Sequence, residues 1–256
     1  MEYELKSIGK IKYIEEGNGE PLILLHGLFG ALSNFKDLID FFKNTHKVYI
    51  PMLPLYDLTN LDTSVSGLAK FVNKFVQAKK IHRFHLLGNS LGGHIGLVYT
   101  LSHPNEVQSL TLTGSRGLFE NGMGETYPKR GDYDYIQKKT ELTFYDPKMA
   151  SKELVDEVYS IVNNRLKAIK IIYLAKSAIR HHLGEELQNI KIPVCLIWGK
   201  NDTITPPMVA DEFKKLLPNS ELHWIDKCGH APMMEVPHEF NAILGQFLST
   251  YKLAEI

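Results

Sequence analysis

The serine at position 90 lies in a pattern that suits a nucleophile. Gly88-Asn89-Ser90-Leu91-Gly92 is a G-x-S-x-G motif between an apolar run and a helical pattern. A nucleophile on a sharp strand-to-helix turn needs small residues two positions before and after it, because the strained backbone brings neighbouring chain into contact. Amides at the start of the next helix would stabilise negative charge beside the serine. The same five letters also occur in ordinary turns, so the assignment depends on partners elsewhere in the chain.

An activated serine needs a base that takes its proton and an acid that fixes the tautomer of the base. Asp202 comes just beyond the apolar run Val194 to Trp198, and His230 just beyond the run Leu222 to Ile225. Both therefore follow predicted strands, and the carboxyl ends of parallel strands share one edge of a sheet. The sequence predicts Ser90 as nucleophile, His230 as base and Asp202 as acid.

Backbone amides must hold the oxygen anion that forms at a reacting carbonyl. Leu91 supplies one such amide, and the loop after the run Leu22 to Leu25 supplies the second through Leu28. His26, in the same loop, is interpreted as a structural histidine and not as a second base. These two amides form the predicted oxyanion hole.

Two other interpretations of these residues are open in the sequence. Asp226 is a rival acid, although it lies only four residues before His230 on the same loop. The glycines around Ser90, with the pair Tyr135 and Lys139, also resemble a dinucleotide-binding turn. That turn usually follows the first strand and precedes an acidic residue at the end of the next strand. Here several predicted strands come first, so we favour the nucleophile.

Short apolar runs alternate with longer amphipathic segments, which is typical of a largely parallel sheet covered by helices. The predicted strands are Leu22 to Leu25, Val48 to Ile50, Phe84 to Leu87, Val107 to Leu112, Val194 to Trp198 and Leu222 to Ile225. Residues 3–8 and 11–15 predict an opening hairpin around Gly9-Lys10. The predicted helices of this core are 34–43, 64–80, 91–103, 207–217 and 238–252.

Residues 116–190 interrupt this alternation. A loop rich in glycine and tyrosine, 117–133, precedes three helical patterns, and Ser151 is the predicted N-cap of the second. These patterns cover residues 134–143, 151–163 and 165–182. A helical insertion between two strands predicts a cap, so the expected domains are a core of 1–115 and 191–256 and a cap of 116–190.

Composition limits the partners and the compartment. The 256 residues carry 29 basic and 29 acidic side chains, and this balance gives no electrostatic case for nucleic acid or an anionic membrane. The first residues do not form a secretory signal, and no apolar run approaches the roughly 18 residues of a membrane span. Two cysteines are too few for a disulfide framework, and no metal-ligand motif is present. We expect a cytoplasmic monomer or homodimer that acts on a small molecule without metal or cofactor.

The motifs together resemble those of the α/β-hydrolase superfamily over essentially the whole chain. They are His26-Gly27-Leu28-Phe29-Gly30, Gly88-Asn89-Ser90-Leu91-Gly92-Gly93, Gly199-Lys200-Asn201-Asp202 and Gly229-His230-Ala231-Pro232 with Glu235 and Pro237. The resemblance implies an α/β fold with a mostly parallel central sheet, helices on both faces and an inserted helical cap. It also implies a Ser-His-Asp hydrolase without a cofactor, in which Glu235 packs near the loop of His230. One departure is the segment Pro51 to Asp57, which lacks both glycines of the Asp-x-Pro-Gly-x-Gly turn that the family often has.

Within that superfamily, Ser90 argues against the dehalogenases and epoxide hydrolases, which use an aspartate at this position. Asn89-Ser90 and the segment Phe144 to Pro147 resemble carbon–carbon bond hydrolases that open ring-cleavage products. Those enzymes usually carry an arginine in the helix near 151–163 and an aromatic residue after the histidine, where this chain has Ala231. We therefore predict an esterase for small or medium carboxylic esters that works through an acyl-enzyme. Carbon–carbon cleavage of a vinylogous diketone acid, or a receptor-like homologue with little turnover, are the alternatives.

Four residues are candidates for substrate contact. Phe29 adjoins the predicted oxyanion amide, and Tyr135 and Tyr159 lie in the predicted cap, where aromatic side chains either line a pocket or hold the cap on the core. Arg116 lies at the entrance to the cap, where it would meet a substrate carboxylate or remain a surface arginine.

Overall fold

In the computed structural model, residues 3–29, 35–59, 62–118 and 131–253 are described. The strands are β1 (Lys6–Ile8), β2 (Ile11–Glu16), β3 (Glu20–Leu25), β4 (His46–Pro51), β5 (Phe84–Asn89), β6 (Val107–Thr113), β7 (Val194–Gly199) and β8 (Ser220–Ile225). The helices are α1 (Lys36–Phe42), α2 (Val65–Lys79), α3 (Leu91–Ser102), α4 (Tyr133–Glu141), α5 (Lys152–Asn163), α6 (Arg165–Arg180), α7 (Pro207–Leu216), α8 (Pro232–Glu235) and α9 (Pro237–Thr250). Short 3-10 turns span Pro147–Met149 and Gly184–Asn189.

The eight strands form one sheet in the order β1-β2-β4-β3-β5-β6-β7-β8. The first two strands form an antiparallel hairpin, and β2 also runs antiparallel to β4, whereas all other neighbours are parallel. The mostly parallel α/β sheet that the sequence predicts is confirmed. The first strand is shorter than predicted, because it covers only Lys6–Ile8 before the turn at Gly9.

Alternate side chains of the central strands supply two separate cores. In β3, Ile23 and Leu25 belong to the core that also contains residues of α2, α3 and α7, whereas Leu22 and Leu24 belong to the core that contains residues of α1 and α9. All six residues of β5 are buried. Helices therefore cover both faces of the sheet, which is why these strands are nearly continuous apolar runs in the sequence.

The helix ends follow local sequence signals. The Ser64 hydroxyl accepts a hydrogen bond from the Gly67 amide at the start of α2, and the Ser151 hydroxyl accepts one from Leu154 at the start of α5. Ser151 is thus confirmed as an N-cap. The sequence did not predict α8, since four residues are too few to show a helical period.

Helices α4 to α6 lie between β6 and β7 in the chain, and residues 131–190 contain no strand. We call residues 131–190 the helical insert. Its last helix is anchored on the core by buried Leu174 and Ala178 and by the Ser177 hydroxyl, which accepts from the Val65 amide at 3.1 Å. Most of the predicted loop 117–133 lies outside the described residues. Among the described helices, none combines the length and the apolar character needed to cross a bilayer.

Candidate active site

Ser90 occupies a strained turn between β5 and α3. Its backbone has φ 54° and ψ −117°, a conformation that residues other than glycine rarely adopt. The Ser90 amide donates to the Thr113 carbonyl at 3.1 Å, and its carbonyl accepts from Gly93 and Arg116, each at 3.1 Å. Hydrogen bonds from a neighbouring strand and from the helix therefore hold the strained conformation in place.

Two glycines make this turn possible. A Cβ atom on Gly88 would lie 2.4 Å from the Gly92 carbonyl oxygen, and one on Gly92 would lie 2.0 Å from the Leu25 carbonyl oxygen. Neither space admits a side chain, because the obstacles are backbone atoms. The glycines at positions −2 and +2 from Ser90 are thus required by close packing, as the motif predicts.

Asp202 and His230 are brought together from the loops after β7 and β8. Oδ2 of Asp202 lies 2.9 Å from Nδ1 of His230, and both side chains are almost fully buried. Oδ2 also accepts from the Thr205 hydroxyl at 2.8 Å, whereas Oδ1 accepts from the amides of Ile204 and Thr205. The carboxylate is therefore oriented by three hydrogen bonds besides that to the histidine.

The surroundings keep Asp202 ionised. Burial alone would raise the pKa of the Asp202 carboxyl, but His230 and the two donors of Thr205 hold that pKa below its usual value. An ionised carboxylate on Nδ1 keeps the proton of a neutral imidazole on that nitrogen, which leaves Nε2 as a proton acceptor. The rival Asp226 is solvent-exposed and lies 3.9 Å from Lys200, so the structure pairs His230 with Asp202 instead.

Asn89 connects the serine turn to the histidine loop. Its amide nitrogen donates to the Thr113 carbonyl at 3.1 Å and to the His230 carbonyl at 3.2 Å. Gly114 lies against the imidazole ring of His230, since a Cβ atom on Gly114 would be 2.7 Å from Nδ1 of that ring. The loops that carry Ser90 and His230 therefore contact each other directly. The sequence motif gave Asn89 no role, because its partners lie on other strands.

The predicted oxyanion loop lies beside Ser90. A Cβ atom on Gly27 would be 3.3 Å from the Ser90 Cβ. Leu91 is the first residue of α3, and the amide at the first position of a helix has no acceptor within the helix. The loop of Leu28 and the start of α3 thus meet at the serine, which is the arrangement that an oxyanion hole requires.

The segment after β4, where the chain departs from the family pattern, fixes the loop of Leu28. The Tyr56 hydroxyl donates to the Leu28 carbonyl at 2.9 Å, and the Leu53 amide donates to Nε2 of His26 at 3.2 Å. Nδ1 of His26 faces the Gly27 carbonyl at 2.9 Å, and burial lowers the pKa of this histidine. Both ring nitrogens of His26 are therefore engaged with backbone, as a structural histidine requires. Sequence reasoning missed Tyr56.

Three of the four candidate substrate contacts converge in one apolar cluster. Phe29, Tyr135 and Tyr159 are half-buried and pack against Ile136, Val158 and Val162. The fourth candidate, Arg116, lies just beyond β6. Its backbone adjoins Ser90, and its charge contributes, after burial and His181, to lowering the pKa of His94 to about 3. The cluster joins the oxyanion loop to α4 and α5.

The helical insert also contacts the loops that carry Asp202 and His230. The His230 amide donates to the Thr143 carbonyl at 2.8 Å, and the Thr203 hydroxyl donates to the Leu142 carbonyl at 2.9 Å. Glu235 accepts from the amides of Tyr145 at 2.7 Å and of Gly229 at 2.8 Å. Glu235 is therefore a hydrogen-bonded bridge and not only a packing residue.

Two groups of described side chains are close enough to share a metal ion. They are Glu20, His46 and His85, and Cys195, Glu221 and His223. The first group lies at the amino ends of its strands and the second lies within β7 and β8, whereas Ser90, Asp202 and His230 follow the carboxyl ends of strands.

The sequence matches the α/β-hydrolase fold family over residues 20–141 and 134–237. With the eight-stranded sheet and the serine turn, this match shows that the chain belongs to the α/β-hydrolase fold family.

Individual relatives agree with this membership. Monoacylglycerol lipase ABHD6 of Bos taurus is 28% identical over 91% of this chain and 77% of its own length. The crystal structure of MGS-MChE2, an α/β-hydrolase enzyme from a sediment metagenome of the lagoon of Mar Chica, Morocco, is 46% identical, with a TM-score of 0.81 over 96% of this chain and 98% of that chain. A single-site mutant of the meta-cleavage product hydrolase CumD is 19% identical with a TM-score of 0.78 over 94% of each chain, a likeness of fold alone. The monoacylglycerol lipase and the metagenomic α/β-hydrolase enzyme support a hydrolase.

Proposed function

We propose that the chain is a Ser-His-Asp hydrolase that cleaves small or medium carboxylic esters through an acyl-enzyme. In the first step, Ser90 Oγ attacks the ester carbonyl while Nε2 of His230 takes the serine proton. The tetrahedral intermediate then collapses, the C–O bond to the alcohol breaks, and His230 returns the proton to the leaving oxygen. Water attacks the acyl-enzyme in the same way and releases the acid and Ser90.

The observation that carries this proposal is the buried Asp202–His230 hydrogen bond of 2.9 Å in a loop tied through Asn89 to the serine turn. A buried, oriented carboxylate stabilises the imidazolium that forms during each proton transfer. The strained backbone of Ser90 at the start of α3 also supports the proposal, because it is the conformation expected of a nucleophile on such a turn. No metal or cofactor enters any of these steps.

The amides of Leu28 and Leu91 are the proposed oxyanion hole. The apolar cluster of Phe29, Tyr135 and Tyr159 borders this loop, so we assign it to the acyl chain of the ester. Residues 116–190 are then the cap over the core formed by 1–115 and 191–256. The small-molecule substrate, the monomer or homodimer and the cytoplasmic location remain predictions.

The test combines covalent labelling with turnover. A fluorophosphonate probe is expected to label Ser90, and Ser90→Ala is expected to lose labelling and to slow hydrolysis of a short p-nitrophenyl ester by about 10⁶-fold. Ser102→Ala, on the far turn of α3, is the matched control and should keep both signals. Labelling of another serine, or normal turnover by Ser90→Ala, would contradict the proposal. Labelling with negligible turnover would favour the receptor-like homologue.

One observation favours a second candidate, carbon–carbon bond cleavage. The Arg116 amide donates to the Ser90 carbonyl, so a cationic residue adjoins the nucleophile turn. A diketone acid needs a cation to hold its carboxylate, whereas an uncharged ester does not. We expect esters to be cleaved much faster than a vinylogous diketone acid, and Arg116→Ala to change ester turnover by less than about tenfold. Faster cleavage of the acid, abolished in Arg116→Ala, would reverse the assignment.

A further inference from the structure

Three side chains meet at the edge of the sheet opposite to Ser90. Glu20, His46 and His85 lie at the starts of β3, β4 and β5, which are neighbours in the sheet. One possible ligand atom from each lies within 4.8 Å of those from the other two. Oε2 of Glu20 and Nε2 of His85 are 3.1 Å apart, and the rings of His46 and His85 have centroids 6.1 Å apart. The three groups thus face a common point.

The Nδ1 atoms of both imidazoles lie within hydrogen-bond distance of hydroxyl groups. Nδ1 of His85 lies 2.7 Å from the Ser109 hydroxyl, and Nδ1 of His46 lies 2.9 Å from the Thr45 hydroxyl. Metal-binding histidines characteristically have the second ring nitrogen hydrogen-bonded in this way, which fixes the ring and its tautomer. When Nδ1 of His85 donates to Ser109, Nε2 and the Glu20 carboxylate are two electron-pair donors 3.1 Å apart. A cation bound between Nε2 of His85 and Oε2 of Glu20 then takes the place of the proton that would otherwise join these two atoms.

The chemistry of the three side chains indicates which ion they would hold. Imidazole nitrogen suits Zn²⁺ and other transition metals, whereas Mg²⁺ and Ca²⁺ prefer sites built from oxygen ligands. Two imidazoles and one carboxylate are a donor set suited to Zn²⁺, which binds nitrogen at roughly 2.0–2.1 Å.

We propose that Glu20, His46 and His85 form a Zn²⁺ site separate from the triad. The ion joins the starts of three central strands. It also involves the C-terminal segment, because Oε2 of Glu20 accepts from the Leu253 amide at 3.1 Å. The site therefore stabilises the sheet, and the ester chemistry at the other edge does not depend on it.

The test uses the full chain after dialysis against a chelator. Isothermal titration with ZnCl₂ is expected to show one saturable site, and Co²⁺ is expected to give the visible absorption of a four- or five-coordinate ion. Zinc at about 100 times its Kd should raise Tm by roughly 5–10 °C. His46→Ala and Glu20→Gln should each weaken zinc binding by about tenfold or more, with folded far-UV spectra.

Two variants serve as controls. His82→Ala removes an exposed histidine just before β5, and His223→Ala removes a histidine from the rival group with Cys195 and Glu221. Both should bind zinc as the wild type does. The proposal is overturned if the wild type shows no saturable binding, if His46→Ala and Glu20→Gln bind zinc normally, or if His223→Ala is the variant that loses the site.

Discussion

Replacement of Asp202 by asparagine isolates the role of one oxygen atom. Oδ1 accepts from the amides of Ile204 and Thr205 at 2.8 and 2.9 Å, so the side-chain oxygen of an asparagine must remain there. The NH₂ group then occupies the place of Oδ2, where it faces Nδ1 of His230 and the Thr205 hydroxyl. The opposite orientation would direct two N–H groups at two backbone N–H groups, which is repulsive.

In that orientation the amide donates to Nδ1 of His230. The proton of the neutral ring then lies on Nε2, which is the atom that must accept the proton of Ser90. We expect kcat to fall by about 10⁴-fold, which corresponds to about 5 kcal/mol of transition-state stabilisation. The fold should persist, because the amide retains the bonds to the loop of Thr205.

The assay is hydrolysis of a p-nitrophenyl ester, with active sites counted by fluorophosphonate titration. Asp226→Asn is the matched control, and it should stay within about twofold of wild type because Asp226 is exposed and its contact with Lys200 is long. A loss of less than about tenfold in Asp202→Asn would refute the tautomer argument. A greater loss in Asp226→Asn than in Asp202→Asn would show that Asp226 is the acid.

Three more outcomes follow from the structure. Tyr56→Phe removes the hydrogen bond to the Leu28 carbonyl, so we expect kcat to fall roughly 2- to 12-fold at little changed KM. Tyr173→Phe is the control. An unchanged kcat in Tyr56→Phe would contradict a positioning role for Tyr56. Gly92→Ala should unfold the chain, since its Cβ would be 2.0 Å from a backbone oxygen, whereas Gly245→Ala, with 3.8 Å to its nearest neighbour, should keep or slightly raise Tm. The lowered pKa of Asp202 means that its ionised form adds stability above its ordinary pKa of 3.8 and that this contribution is lost as pH falls through the lower folded value. Urea unfolding should therefore show a difference between wild type and Asp202→Asn that shrinks toward about pH 2; a constant difference would oppose this reasoning.

The strands, and the loops that carry the candidate residues Ser90, Asp202 and His230, were predictable because of how a parallel sheet is buried. Both faces of β5 and β7 are covered, so both strands are mostly apolar in the sequence, with His85 and Asn89 as the polar residues of β5. Ser90 follows the first of these strands directly, and Asp202 comes three residues after the second. The order of Ser90, Asp202 and His230 along the chain then places all three at one edge. Local signals of this kind also revealed the N-cap Ser151.

Contacts between distant loops were not predictable. Tyr56 meets Leu28, and Asn89 meets His230, across sequence separations of 28 and 141 residues, and no periodic pattern marks either pair. The pair Glu20 and His85, 65 residues apart, is hidden for the same reason. The sequence shows which residue types are present on each loop, but partners on different strands become visible only when the register of the sheet is known.

The carbonyl oxygens of Leu142 and Thr143 accept hydrogen bonds from the Thr203 hydroxyl and the His230 amide, and these two bonds bear on how such proteins diversify. An insert transplanted from a relative in place of residues 131–190 would place these two backbone carbonyl oxygens correctly only if its own backbone followed the same path. A transplanted segment that matches only the helices would thus also disturb the loops of Asp202 and His230. A chimera that retains residues 142–145 of this chain would exchange helices α4 to α6 while leaving both hydrogen bonds intact.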